Sequence, residues 1–411
     1  MPDRKRDLKM IVTIKPSKAS GNIQAPPSKS MAHRMLICAA LANGTSRIRN
    51  VAYSEDILAT IDCIEAMGAI VKKDNDTVTV SGIGGSKILS PAKFKCRESG
   101  STLRFFIGIA MAIAEESLFY GSEKLLSRPL SVYEDICDRQ GIGFTLSDHI
   151  HIKGMLKPGD FEVAGNISSQ FISGLLFALP LLDKDSHIIF TTAIESASYI
   201  QLTLEALSLF GVKASWKDKK TLFIPGSQTY KNGDVFVEGD YSNAAFLDVF
   251  NTIGGNVSVS GLREASGQGD KVYKELYERL VSAHCRIDIS DCPDLGPVLM
   301  VVAAANHGAT FTGTERLKIK ESDRGHVMCD LLADFGIETV YEDDRIEVKE
   351  GVLRNPQKAI DGNNDHRIVM AAATLLSLTG GKLTGAEAVR KSFPDYFDVI
   401  KQLGINIKFD A

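Results

Sequence analysis

A stretch of helical period that stops at a glycine and turns into two short strands recurs along this chain. That recurrence limits its architecture more than any other feature. Residues 57–67 are amphipathic and end at Gly68, followed by strand-like 69–72, a turn at Asp74-Asn75-Asp76 and a second strand over 77–80. Residues 132–140 with Gly141, 202–210 with Gly211, and 327–335 with Gly336 repeat the pattern, each leading into a pair of strands. Residues 396–403 with Gly404 and strand 405–409 make a fifth copy with one strand, and 272–286 followed by 287–289 reads as a sixth that lacks its glycine. Glycine closes a helix in the left-handed conformation at little steric cost, so it is the expected residue where helix becomes strand. The marker glycines recur about every seventy residues within each half, which means a repeated βαβ-type subdomain rather than a short solenoid unit. Three such units would build each half, giving an α/β chain of two similar domains.

With 411 residues the chain exceeds one comfortable core, which also favours two domains. Two stretches read as hinges: the stiff Ala25-Pro26-Pro27 segment and the Gly- and Asp-rich loop over 233–241. The expected division is a discontinuous domain of 1–27 plus 238–411 and an inserted domain of 28–237, with the ligand in the cleft between them. The net charge of −4 excludes nucleic acid as the main partner, because no basic excess exists to neutralise phosphates. An anionic ligand must therefore be met by local clusters of Arg and Lys. Seven scattered cysteines without a C-x-x-C pattern fit reduced thiols in a cytoplasm. Residues 1–9 are charged and lack an apolar core, so a secretory signal is not expected there, and no apolar run reaches membrane-span length.

Polar and cationic residues collect at the starts of helices. Lys318-Ile319-Lys320-Glu321-Ser322-Asp323-Arg324 places two cations four residues apart around a carboxylate, just before the 327–335 helix, with Ser322 as the expected N-cap. Helix starts attract anions through free N–H groups and the helix dipole, so this is an anion site with a proton-carrying group, or else an ordinary charged first turn. Lys29, Ser30 and Arg34 follow Pro26-Pro27-Ser28 at another start. A Lys-Ser pair ends P-loops too, but the G-x-x-x-x-G frame is missing, so an ATP site is not supported. Ser99-Gly100-Ser101-Thr102 leads into a helix bearing Arg104; Ser127-Arg128-Pro129, Asn166-Ile167-Ser168-Ser169-Gln170 and Glu195-Ser196-Ala197-Ser198-Tyr199 open three more. In the other half, Cys292-Pro293-Asp294, Asn364-Asp365-His366-Arg367 and Lys391-Ser392-Phe393-Pro394-Asp395-Tyr396 precede helices. An Asp before an apolar helix is usually an N-cap, and Asp294 reads as that or as a functional carboxylate. His366 has no second histidine at ligand spacing, so a metal is not expected.

Taken in order, the P-S-K-S-x-x-x-R, S-G-S-T-x-R, R-P, S-S-Q-F, K-E-S-D-R, N-D-H-R and K-S-F-P-D-Y segments resemble the 3-phosphoshikimate 1-carboxyvinyltransferase (enolpyruvyl shikimate phosphate synthase) family. The resemblance runs from about Ile11 onward. It implies the enolpyruvyl transferase fold: two similar domains, each of three βαβαββ units. It also implies transfer of the enolpyruvyl group of phosphoenolpyruvate to the 5-hydroxyl of shikimate 3-phosphate, with no metal or organic cofactor, by a cytoplasmic monomer. Under the resemblance, Lys29, Ser30, Arg34, Ser168, Ser169, Gln170, Ser196, Asp294 and Lys320 hold shikimate 3-phosphate. Lys29, Gly100, Arg128, Gln170, Arg324, Arg367 and Lys391 hold phosphoenolpyruvate, in whose place the family binds glyphosate. Asp294 accepts the hydroxyl proton, Glu321 delivers one to the methylene carbon, and Lys29 joins them as a catalytic cation. Several positions depart from the family pattern: Glu98-Ser99-Gly100-Ser101 stands for Asn-Ala-Gly-Thr, Phe105 for a proline, Arg316 for an asparagine, and Ser196-Ala197-Ser198-Tyr199 for Ser-Lys-Pro-Tyr. Two alternatives stay open on sequence: the related UDP-N-acetylglucosamine enolpyruvyltransferase, and a non-catalytic protein binding phosphorylated metabolites.

Overall fold

The computed structural model describes residues 10–88 and 91–410. The charged stretch 1–9 lies outside the described residues, so the expectation about a secretory signal is not addressed by the fold. The chain divides into two compact units. One comprises the residues up to Pro26 with Gly239–Ser266 and Asp270 onward; the other comprises Pro27–Glu238 with the short loop Gly267–Gly269. Each unit closes around its own hydrophobic core.

Among the described residues, the Pro27–Glu238 unit carries three four-stranded sheets built to one plan. In the second, Ala92–Lys95 pairs parallel with Glu116–Tyr120 across the helix Gly100–Ile113, and Ile150–Lys153 and Gly143–Leu146 add an antiparallel hairpin. The third repeats this with Asp160–Val163, Ser186–Phe190, Thr221–Ile224 and Ser215–Asp218. The first takes its parallel edge strand, Asp234–Phe236, from the far end of the unit's sequence to lie against Thr45–Arg49. Strands such as Thr45–Arg49 alternate buried and exposed residues, so each sheet offers one apolar face to the core. The helices Lys29–Leu41, Gly100–Ile113 and Ser169–Ala178 are buried almost all round, which explains their near-continuous apolar sequences. The last two touch backbone to backbone at glycines: a methyl group on Gly108 would lie 2.5 Å from the Gly174 carbonyl oxygen, and one on Gly174 would lie 2.5 Å from that of Arg104. That close approach sets the polar starts of the two helices side by side.

The other unit holds two four-stranded sheets and one two-stranded sheet among the described residues. Cys285–Asp288, Ala309–Thr312, Arg345–Val348 and Thr339–Glu342 follow the same plan. In a second sheet Ile11–Lys15 lies between Gly381–Thr384 and Asn406–Asp410, antiparallel to both. The parallel pair Ser20–Gln24 and Asn256–Ser260 completes the set. Gly68, Gly141, Gly211, Gly336 and Gly404 all have positive φ at their helix-to-strand junctions, as the repeat requires.

The sixth copy is corrected by the structure. The helix Tyr273–Ser282 ends on Ala283 in extended conformation, and the following strand Cys285–Asp288 pairs parallel with Ala309–Thr312. It opens the next βαβ crossover instead of forming a hairpin, so no left-handed turn is needed and no glycine stands there. Among the described residues, no helix is long and apolar enough to cross a membrane.

Candidate active site

In the unit that contains residues 270 onward, three helix starts converge on one carboxylate. Asp294 lies in the short 3-10 turn Pro293–Leu295 ahead of the apolar helix Gly296–Ala305, and it does not cap that helix. Its Oδ1 receives Arg324 Nη1 at 2.8 Å and Lys320 Nζ at 3.1 Å, while Arg367 Nη2 lies 3.6 Å from its Oδ2. Burial alone would raise the Asp294 pKa, but Lys320, Arg367 and Arg324 outweigh it and hold the carboxyl well below the usual range. The Lys320 pKa is lowered as well: burial depresses it, with Asp294 opposing and Arg316 and Arg324 reinforcing.

Arg324 is the first residue of the helix Arg324–Asp334 and is 1% exposed. Asp365 grips it bidentately, Nε to Oδ2 at 2.9 Å and Nη2 to Oδ1 at 3.2 Å, and Glu321 takes a further bond from Nη2. Burial would lower the Arg324 pKa, but Asp365, Glu321 and Asp294 together raise it, so the guanidinium stays charged. The expected N-cap Ser322 is corrected here. Asp323 caps the helix by accepting from the His326 N–H, and the Ser322 hydroxyl instead donates to Asp365 at 2.9 Å. Asp323 sits one residue closer to the first helical turn, and the Asp365 carboxylate draws the Ser322 hydroxyl away.

Asp365 itself caps the helix His366–Thr379, accepting from the Arg367 N–H at 3.0 Å. Arg367 is buried against the ring of Phe246, with its Nε and Nη1 without hydrogen-bond partners among the described residues. A guanidinium does not stay dry with two orphaned donors unless something else satisfies them, and these two N–H groups are able to receive an anion. Lys391 donates to the Asn364 carbonyl at 2.7 Å, at the mouth of the same helix start.

The Pro27–Glu238 unit gathers a second cationic group. Lys29 opens the helix Lys29–Leu41, capped by Ser28, and pairs with Asp56 at 2.8 Å. Gly100 is the first residue of the helix Gly100–Ile113; a Cβ on it would lie 2.8 Å from Arg128 Nη1, 3.1 Å from Arg104 Nη1 and 3.7 Å from Gln170 Oε1. Arg128 has a buried Nε with no hydrogen-bond partner among the described residues. Gln170, near the start of the helix Ser169–Ala178 capped by Ser168, accepts from Arg104 Nη1 at 2.7 Å and donates to Ser101 Oγ at 2.8 Å. Its amide orientation is thereby fixed. Ser169 and Ser196 are buried, and Ser196 holds a left-handed backbone (φ 53°) before the helix Ala197–Leu209. Among the described residues no group of three or more His, Cys, Asp or Glu side chains is placed to hold a metal ion.

Arg34 is placed differently from the other cations. Its Nε donates to Thr203 Oγ1 at 2.8 Å, Nη1 to the Ser30 carbonyl at 2.7 Å, and Nη2 to the Tyr199 carbonyl at 3.0 Å and Ser173 Oγ at 3.3 Å. Burial lowers its pKa to about 10, and it remains charged at neutral pH. Its donors thus tie together the helices that carry Ser30, Ser173 and Tyr199.

Three carboxylates were not singled out in the sequence: Asp56, Asp365 and Asp270. Asp56 and Asp365 fix the cations Lys29 and Arg324. Asp270 is 5% exposed, and burial together with Asp294 pushes its pKa up to about 6 despite Arg367. Asp365 was legible only as the residue before the N-D-H-R helix. Its role depends on a partner 41 positions away.

A family model described as EPSP synthase (3-phosphoshikimate 1-carboxyvinyltransferase) matches residues 14–400. The 3-phosphoshikimate 1-carboxyvinyltransferase of Clostridioides difficile is 41% identical, the match covering 95% of this chain and 97% of that protein. The protein of that name from Clostridium kluyveri is 39% identical over 96% of this chain and 97% of its own length. Among solved structures, EPSP synthase from Acinetobacter baumannii superposes with a TM-score of 0.80 at 22% identity, covering 98% of this chain and all of that one. The enolpyruvyl transferase NikO from Streptomyces tendae gives 0.76 at 13% identity, over 98% of this chain and 99% of that one. These two establish the fold.

Proposed function

Because this chain belongs to the EPSP synthase family, we propose that the cationic clusters of its two units hold the two anionic substrates of that family's reaction. The chain is a transferase of the shikimate pathway: it moves the enolpyruvyl group of phosphoenolpyruvate to the 5-hydroxyl of shikimate 3-phosphate and releases phosphate. The proposal assigns the roles. Lys29, Ser30, Ser168, Ser169, Gln170, Ser196, Asp294 and Lys320 hold shikimate 3-phosphate, with Arg34 acting through the Ser30 and Tyr199 carbonyls that it fixes. Lys29, Gly100, Arg128, Gln170, Arg324, Arg367 and Lys391 hold phosphoenolpyruvate. The orphaned donors of Arg128 and Arg367 supply charge-assisted bonds for its phosphate and carboxylate.

The carrying observation is Asp294, a carboxylate gripped by Lys320 and Arg324 with Arg367 beside it and Glu321 sharing Arg324. A pKa held this low makes Asp294 a weak base on its own. Anionic substrates that claim the same cations, and exclude water, raise it toward the value a general base needs. In this reading the substrate switches on its own base. Asp294 takes the proton of the attacking 5-hydroxyl, Glu321 delivers one to the methylene carbon, and Lys29 balances charge. The tetrahedral adduct then returns a methyl proton to the Glu321 carboxylate as phosphate leaves, restoring the double bond.

The seven cysteines are all free thiols, which supports a cytoplasmic setting. We further infer a monomer that acts on small molecules, apart from nucleic acid and membranes. The deciding experiment measures phosphate release from phosphoenolpyruvate with shikimate 3-phosphate or UDP-N-acetylglucosamine as acceptor. Release with the sugar nucleotide only, or with neither, overturns the reading.

A further inference from the structure

Behind the start of the helix Gly100–Ile113 runs a buried row of hydrogen bonds that the site described above does not use. His33 Nδ1 lies 2.7 Å from Thr60 Oγ1, Thr60 Oγ1 lies 2.8 Å from Thr102 Oγ1, and Thr102 Oγ1 donates to Ser99 Oγ at 2.8 Å. All four side chains are at most 1% exposed. Each stands within about a turn of a residue of the proposed site. His33 is four residues beyond Lys29 on the helix Lys29–Leu41. Thr60 is four beyond Asp56, the partner of Lys29, on the helix Glu55–Ala66. Thr102 follows Gly100 by two, and Ser99 is that helix's N-cap.

The donors and acceptors along this row allow one consistent assignment. Thr102 has one hydroxyl proton, and Ser99 Oγ is its close acceptor; the Asp56 carbonyl is at 3.5 Å. Thr102 must then accept from Thr60, and Thr60, its proton committed, must accept from His33. His33 therefore carries its proton on Nδ1. The other nitrogen, Nε2, is buried with no partner among the described residues, and an orphaned acceptor is less costly there than an orphaned N–H. Burial, with Lys29 and Arg34 adding to it, lowers the His33 pKa well below its ordinary value, so the ring is neutral.

We propose that His33, Thr60 and Thr102 are positioning residues for phosphoenolpyruvate, a one-directional relay that locks the Gly100 helix start to the Lys29 and Asp56 helix starts. The inference rests on the reading of Lys29 and Gly100 as phosphoenolpyruvate contacts. The relay touches no substrate; it fixes the spacing between backbone N–H groups at Gly100 and the Lys29 ammonium. Loss of its middle member leaves the buried His33 Nδ1–H unpaired and takes from Thr102 Oγ1 the donor it accepts from, which is relieved if the helices shift against one another.

Two measurements test it. In histidine-labelled protein at neutral pH, nitrogen NMR of His33, assigned with His33→Asn, is expected to show the Nδ1–H tautomer; the Nε2–H tautomer overturns the relay. In Thr60→Val, the KM for phosphoenolpyruvate is expected to rise about three- to thirtyfold with kcat little changed, and Thr60→Ser is expected to restore it. An unchanged KM with a lowered melting temperature makes the row a structural feature only and refutes the positioning role. Should Thr60→Val fail to fold, Thr102→Val carries the same kinetic expectation and the same refutation. A failure of the site reading is separate: the unsubstituted protein would then release no phosphate, whatever tautomer His33 shows.

Discussion

Gly100→Ala isolates one side of the proposed phosphoenolpyruvate site. A methyl group there would sit 2.8 Å from Arg128 Nη1 and 3.1 Å from Arg104 Nη1, whereas ordinary contact begins at 3.4 Å. Arg104 is held by Gln170 Oε1 and the Pro129 carbonyl. Arg128 makes no such bonds through its buried Nε, so it is the group that yields, by about half an ångström. Gly100 is the first residue of a helix and lies outside the left-handed region, so alanine fits its backbone and favours helix by up to about 1 kcal/mol. Stability should therefore hold or rise slightly while the ligand loses a well-placed guanidinium. A charge-assisted bond contributes about 1.5–3 kcal/mol, so the KM for phosphoenolpyruvate should rise about ten- to a hundredfold. The inhibition constant for glyphosate, which the family binds in the same place, should rise with it. The assay is steady-state phosphate release with phosphoenolpyruvate varied at saturating shikimate 3-phosphate, beside a thermal melt. An unchanged KM, or a rise that merely tracks a falling melting temperature, would refute the placement of Gly100 against the ligand.

Asp294→Asn and Glu321→Gln should still bind shikimate 3-phosphate by calorimetry yet lose about two to four decades of kcat, the range of general acid–base groups; near-normal turnover in both would sink their assignment. Asp365→Asn strips the bidentate partner from a fully buried Arg324 and should cost about 3–5 kcal/mol in urea unfolding; a loss below 1 kcal/mol would show that Arg324 finds another partner. Asp270, raised to about 6 from an ordinary 3.8, binds more protons folded than unfolded between those values. Its contribution to stability therefore falls as pH rises from about 4 to about 6, a slope that Asp270→Asn should lack. Identical pH–stability curves for the two proteins would contradict the shift.

Much of the fold was legible because it rests on local chemistry. A glycine with positive φ at residues 68, 141, 211, 336 and 404 is a backbone requirement that shows directly in the sequence. Where a junction carries no such requirement the reading failed: after residue 282 the chain leaves its helix in extended form, and pattern alone could not distinguish the first strand of a crossover from a hairpin strand. The cations of the candidate site were legible from their place at helix starts. The carboxylates Asp56 and Asp365 were not, because Lys29–Asp56 and Arg324–Asp365 join segments that only tertiary packing brings together. For the same reason Ser322 looked like a cap: the nearby competitor Asp323 was visible, but the distant acceptor Asp365 was not.

The strand Ile11–Lys15 sits in the middle of its sheet, between Gly381–Thr384 and Asn406–Asp410, and Thr13 bonds Asp410 across 397 positions of sequence. On the ribosome this imposes an order of events. At about 5–20 residues per second, Ile11–Lys15 waits roughly 20–80 s for its second neighbour to be made. Over that interval an apolar strand with two unpaired edges is available to any other strand nearby. In the Pro27–Glu238 unit the long wait is that of Thr45–Arg49 for Asp234–Phe236, about half as long, and its other neighbour Thr77–Ser81 is made almost at once, so this unit can close earlier in synthesis. Newly made chains would thus carry one finished unit and one open sheet, and it is on that open sheet that chaperone binding and aggregation during expression should fall.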